Sequence, residues 1–348
     1  MSMPVRGLLL ALCLATPALA QKDTILLHDG TLIEGVRVQA YDIDKILWKK
    51  GSSEDTRKAD QVAEVTLGKG RDEFSAGFSA GNTVDSYVPF LDAAKSVDDQ
   101  LLKQYGYRLA AEAAFNAGQW SAAFQILEEL KSEIPVTAHA PLLFQMKLEY
   151  YLSRGAAGAG DARTTAKAYE NEAVVGWSKG FQLDAKLYGI RAELAAGDAD
   201  AGRIQGQLDQ IIRDAVGAAH VAQRARLVKA DVLRSTNQTD AAAEIYQGLV
   251  EADYLEASVK SGAWLGMGHV LTKRGQAGDS ESYKQSLLAF LRVYLDRDGV
   301  PAGIVAEALF FGSQAAEKWG GEDSGRMRGY MQFLLRQNYP DSTWAQRL

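Results

Sequence analysis

The chain has 348 residues, 47% apolar and 24% charged, a composition that supports a sizeable buried core and excludes overall disorder. With 38 Lys and Arg against 44 Asp and Glu, the net charge is -6, which argues against a nucleic-acid binder, because that class needs a basic footprint. The N-terminus reads as a leader. Arg6 is the sole charge in the first twenty residues, Gly7 to Leu14 is a short apolar run, and Ala18-Leu19-Ala20 is a small-x-small site. This layout predicts a signal peptide over residues 1–20, cleaved after Ala20, and hence a periplasmic or secreted protein. The run is shorter than the ~20 residues a transmembrane helix needs. Retention as a plain membrane anchor is the alternative. Leu12 stands before Cys13 where lipidation takes a small residue, so no lipid is expected there. Cys13 is the only cysteine, and the mature chain is therefore expected to have no disulfide, thiol nucleophile or thiolate metal ligand. No later segment reaches transmembrane length without charges, so no integral span is expected after cleavage.

Residues 21–70 read as a small β module. Thr24 to Leu27 is a short apolar run closed by Asp29-Gly30, a hairpin dipeptide. Leu32, Glu34, Val36 and Val38 share one face at period two, with Gly35 placed for a bulge. Ile46-Leu47-Trp48 is a further strand, Lys49–Glu54 a turn region, and Val62 to Leu67 the last strand. Four or five short strands in ~50 residues predict a small barrel, since closure removes exposed edges. The segment Leu26-x-x-x-Gly30-x-x-Ile33-x-Gly35, then Tyr41-Asp42 and Ile46-Leu47, resembles the first half of an Sm-like or SH3-like barrel. The second motif of the Sm family, an Arg-Gly pair, is missing, as Lys58 follows Arg57. A docking or capping role is expected for this module in preference to RNA binding.

From residue 71 the period becomes helical. Tyr107, Ala110, Ala111 and Ala114 follow a 0, 3, 4, 7 spacing, as do Trp120, Ala123, Phe124 and Leu127. Ala242, Ile245, Tyr246 and Leu249 repeat it, and so do Met327, Tyr330, Met331 and Leu334. These are the core stripes of amphipathic helices. Gly81, Gly118, Gly155, Gly197, Asn237, Gly275 and Gly320 punctuate them at intervals of about 40 residues, the mark of stacked helical hairpins. Seven hairpins fit residues 71–348, and stacking is what stabilises each one.

Tyr107-x-x-Ala110-Ala111-x-x-Ala114, then Gly118-x-Trp120-x-x-Ala123 and Pro135, resembles a tetratricopeptide repeat. Trp264-x-x-Met267-Gly268-x-x-Leu271 with Gly275 resembles the first helix of the same repeat, and Ala230, Leu233, Asn237, Ala242 and Tyr246 match it more loosely. Tyr339-Pro340-x-Ser342-x-Trp344-Ala345 is similar to the junction between repeats in tetratricopeptide proteins of the bacterial envelope. The resemblance implies a mainly α solenoid whose small residues sit where helices cross and whose first helices line a concave groove. Carried over by position, that groove includes Arg108, Glu112 and Phe115 in one unit, Arg224, Asp231 and Arg234 in another, and His269 and Thr272 in a third. Arginines there suit a peptide carboxylate. Trp264 is expected in the core.

Gly77-Phe78-Ser79-Ala80-Gly81 matches the nucleophile elbow of serine hydrolases, but no strand precedes it, and Arg71 to Ala76 read as helix. Gly155 to Gly160 is glycine-rich without the Lys-Ser/Thr ending of a phosphate loop. The histidines show no metal-ligand spacing. The expectation is an exported, non-enzymatic scaffold or adaptor, without cofactor or metal, that binds a protein or peptide. The alternatives are a cell-wall or polysaccharide binder of the envelope, and a hydrolase using Ser79.

Overall fold

The computed structural model describes residues 22–348 except 82, 198, 277, 278 and 341. The expected signal peptide, its cleavage point at Ala20 and Cys13 lie outside the described residues. The N-terminal module is a five-stranded antiparallel sheet: β1 (Asp23–Leu27), β2 (Leu32–Tyr41), β3 (Lys45–Lys50), β4 (Ser53–Lys58) and β5 (Val62–Thr66). The strand order is β4-β3-β2-β1-β5. Period-two alternation buries Ile25 and Leu27, Val36 and Val38, and Ile46 and Trp48, while in β5 a register shift against β1 puts Val62 and Val65, three apart, both inside. Gly35, at φ +70°, is the extra residue of a bulge between Glu34 and Val36. The bulge reverses the phase of β2 behind it. Ile33 therefore packs on the core, while Leu32, expected on the inner face, is exposed.

The expected barrel is not formed. β4 pairs with β3 and β5 pairs with β1, but β4 and β5 do not pair with each other. The reason lies in β4, Ser-Glu-Asp-Thr-Arg-Lys, which has no apolar side chain to bury against a closing neighbour and is exposed throughout. The same composition explains the turn expected over Lys49–Glu54. The turn itself is only Gly51-Ser52, with Lys50 opposite Ser53.

Beyond the sheet the chain is helical. Two very short helices, α1 (Gly70–Glu73) and α2 (Ser75–Ser79), precede α3 (Val88–Ser96). Then come α4 (Gln100–Asn116) with α5 (Trp120–Glu133), α6 (Ala140–Ser153) with α7 (Ala159–Ala173), and α8 (Lys179–Ala196) with α9 (Ala201–Asp214). They are followed by α10 (Ala219–Ser235) with α11 (Thr239–Val250), α12 (Ala257–Gln276) with α13 (Ser280–Leu295), and α14 (Ala302–Trp319) with α15 (Ser324–Asn338). Each helix from α3 onward packs on the next. The hairpin expected around Gly81 is the short α1, α2 and α3, packed against α4.

The cores bridge successive pairs. Leu183 and Leu187 of α8, Ile204 and Leu208 of α9, and Val221 and Ala225 of α10 form one cluster. Phe290 of α13, Leu309 of α14 and Met331 of α15 belong to another. A lone pair would expose these faces, so stacking stabilises the row. The buried strands continue into Phe74, Phe90 and Tyr105, which fuses the sheet to the first helices. Among the described residues no helix is long and apolar enough to cross a membrane.

The turn residues divide by physical role. Gly118, Gly155, Gly197 and Gly320 have φ between +57° and +79°, and Asn237 stands at φ +65° between α10 and α11. Gly275 differs from its expected role. It lies inside α12, where an added Cβ would stand 2.8 Å from the Tyr283 ring, so it permits close helix approach and makes no turn. Ala111 and Ala123 are fully buried where α4 meets α5, and Pro135 follows the end of α5. At Gly268 an added Cβ would stand 2.5 Å from the buried Phe290 ring. Gly268→Leu should therefore force α12 and α13 apart and lower the urea-unfolding free energy by about 1–3 kcal/mol. An unchanged midpoint would contradict this close approach.

Candidate functional site

The sheet lies along the starts of five successive first helices. At α4, the Gln104 side-chain amide donates to the Tyr41 carbonyl at 3.3 Å. Before α6, Ile43 N–H donates to the Val136 carbonyl at 2.9 Å, Asp42 bridges Thr137, and Tyr41 meets the His139 ring edge-on. At α8, the buried Asp60 carboxylate accepts the Gly180 N–H at 2.7 Å. Gly180 is in the first turn of α8, so Asp60 complements the positive end of that helix. At α10, His28 stacks on His220 with ring centroids 3.8 Å apart. Before α12, His28 Nδ1 lies 3.2 Å from Glu256, and Gly30 abuts the Tyr254 ring.

A polar ladder runs across the first helices behind this contact. Gln145 of α6 donates to Asp184 of α8 at 2.9 Å, and Tyr169 of α7 donates to the same oxygen at 3.1 Å. Arg224 of α10 donates to the other Asp184 oxygen at 3.0 Å and grips Glu256 with two bonds of 2.8 and 3.1 Å. Arg191 of α8 holds Glu149 of α6, which also accepts from the Tyr188 hydroxyl. His269 of α12 meets Glu307 of α14 at 2.9 Å. Burial alone would raise the Glu256 carboxyl, but the Arg224 guanidinium and His28 outweigh it and hold the group well below the usual carboxylate range. Burial, helped by His28 and Arg224, presses the His220 imidazole down to about 2, so it is neutral.

The residues expected in the groove fall into separate clusters along the row. Arg108 pairs with Glu112 at 2.9 Å and lies over the Tyr105 ring. Phe115 packs edge-on against Trp120. Arg224 is in the ladder. Asp231 accepts from Tyr246 at 2.6 Å, and Arg234 donates to the same hydroxyl at 3.3 Å. Thr272 bonds Ser286 and the Gly268 carbonyl. Ser79 sits at the end of α2, and its hydroxyl donates to the Ser75 carbonyl at 2.8 Å. His28, Asp60, Asp184, Glu149, Arg191 and Glu256 were outside the sequence expectation. Each meets partners far along the chain, and no local spacing marks them.

One open cleft of about 570 Å³ lies over α12, between α11 and α13. Its floor is Trp264, Met267 and Leu271, and its walls carry Gln247, Leu288, Arg274 and Arg292. Trp264 is only partly buried, so the residue expected in the core lines a surface cleft as well as packing on its neighbours. Arg292 lies over its ring, 5.0 Å from the centroid, and the indole N–H has no hydrogen-bond partner among the described residues. Arg274 is held by Asp240 at 2.9 Å. No protein-family model matches the chain, and a comparison with curated proteins finds no match.

Proposed function

We propose that this chain is an exported, non-enzymatic scaffold of the tetratricopeptide-like class, a solenoid that binds a protein or peptide on its helical array. The observation that supports this most is the cleft over α12. The polar groups on the earlier first helices are paired with one another, and the starts of those helices carry the sheet. The cleft instead offers an apolar floor and a half-exposed Leu288. Its volume lies within the range of ligand pockets of about 300–1,000 Å³. An apolar side chain on an extended peptide would fill the floor, and Arg292 would meet an acidic group beside it.

Peptides selected from a random library against the intact chain should lose about tenfold or more in affinity for Leu288→Asp, roughly 1.4 kcal/mol. The melting temperature should stay unchanged, because Leu288 is 46% exposed. A library that enriches nothing, or peptides indifferent to the substitution, would contradict the reading.

A further inference from the structure

We propose that β4 is a self-association edge, and that two copies of this chain join through an antiparallel β4–β4 pairing centred on Thr56. This goes beyond the peptide-binding role and is independent of it. Among the described residues, the open sheet leaves one side of β4 without a neighbouring strand. All six residues of β4 are exposed.

The hairpin fixes which main-chain groups point outward. Lys50 and Ser53 flank the two-residue turn and form a hydrogen-bonded pair. Alternation then turns Ser53, Asp55 and Arg57 toward β3, and the N–H and C=O groups of Glu54, Thr56 and Lys58 outward. The side-chain contacts agree. Thr56 N–H donates to the adjacent Asp55 carboxylate at 2.8 Å, and Lys58 N–H donates to Gln61 at 3.3 Å. These local bonds hold the edge only until a strand replaces them.

The order of charge selects the occupant. β4 is acidic at Glu54 and Asp55, neutral at Thr56, and basic at Arg57 and Lys58. An antiparallel copy with Thr56 opposite Thr56 sets Glu54 of each copy opposite Lys58 of the other, and Asp55 opposite Arg57. It also matches outward groups with outward groups, so main-chain bonding and charge agree in one register. Centring the pair on Asp55 would place Asp55 against Asp55, and centring it on Arg57 would place Arg57 against Arg57. Like charges directly opposite destabilise a strand pair, and opposite charges support it. Within the chain, Lys49–Glu54 at 3.3 Å and Asp55–Arg57 at 3.2 Å are about half exposed, so exchanging them between copies loses little. Charged edges commonly serve to repel foreign strands. This one repels most strands while accepting its own.

Sedimentation velocity on the intact chain, with Asp55→Arg and Arg57→Asp as variants, tests the proposal. The native chain is expected to sediment as a concentration-dependent dimer that weakens with salt. Each single variant is expected to be a monomer, because each sets like charges opposite one another. An equimolar mixture of the two variants is expected to recover the dimer, since a strand carrying Asp55→Arg is basic at both positions and one carrying Arg57→Asp is acidic at both. A substitution that merely disturbed folding would not be rescued by mixing. A native chain that stays monomeric, a dimer indifferent to either variant, or a mixture that fails to associate would each overturn the proposal.

Discussion

Replacing Arg224 with methionine should lower stability by about 3–5 kcal/mol, read as the urea-unfolding free energy at pH 7. Arg224 joins Asp184 of α8 to Glu256 before α12. The Asp184 side chain is 2% exposed and that of Glu256 16%, so removing the guanidinium leaves two largely buried carboxylates without their shared counter-charge, with only His28 beside Glu256. Methionine fills much of the volume, so the loss reports charge more than a cavity. Adding Asp184→Asn and Glu256→Gln to Arg224→Met should restore at least about half of it, because a buried ionic network can be replaced by neutral groups at small cost. A loss below about 1 kcal/mol for the single change would mean that solvent screens the network.

The second large effect is on pH. His220 and His139 are both held neutral by burial, at about 2 and about 3, against 6.5 for a free imidazole. His220 is faced by His28 from the sheet, Arg224 from its own helix and Glu256 from the segment before α12. His139 is faced by Tyr41, with Arg108 nearby. Below pH 6.5 the unfolded chain takes up protons that the folded chain refuses, so stability is full above that pH and falls as the solution is acidified. At pH 5 each imidazole accounts for a loss of about 2 kcal/mol. Glu256 adds to the loss only at lower pH, because its free carboxyl titrates near 4.5. Urea titrations from pH 7.5 to 5 check this, and His220→Phe should remove about half of the slope. A flat profile would show that neither ring is buried neutral.

Much of the fold was legible because helices write their period locally. The stripes at Tyr107–Ala114 and Ala242–Leu249 became α4 and α11, and Gly118, Gly197, Asn237 and Gly320 turned out to be the left-handed ends of helices. Gly275 misled because a glycine needed for close packing looks like a glycine needed for a turn. β4 was missed because an exposed edge strand has no apolar alternation to read. Leu32 was placed on the wrong face because one bulge residue reverses every side chain behind it.

The site was less legible. Arg224, His269 and Arg234 are expected on the groove side of first helices, and in the structure they meet Glu256, Glu307 and Tyr246 of the same chain. The docking of the sheet depends on pairs such as Asp60 with Gly180 and His28 with His220, which join distant parts of the chain. No periodicity reports such contacts. They follow from how successive helices stack, which the sequence encodes only through many small packing choices.

A row of paired helices carries the sheet across the starts of its first helices, and everything else rests on that arrangement. A short thiol-specific crosslinker tests it on a chain with Cys13→Ser, Gln61→Cys and Val216→Cys. The Gln61 side chain reaches the Gly217 carbonyl, and Val216 is 90% exposed, so both positions accept cysteine. One intramolecular link between residues 61 and 216 is expected, formed in the native chain and lost in urea. An unlinked chain, or links formed only between copies, would contradict the docked arrangement.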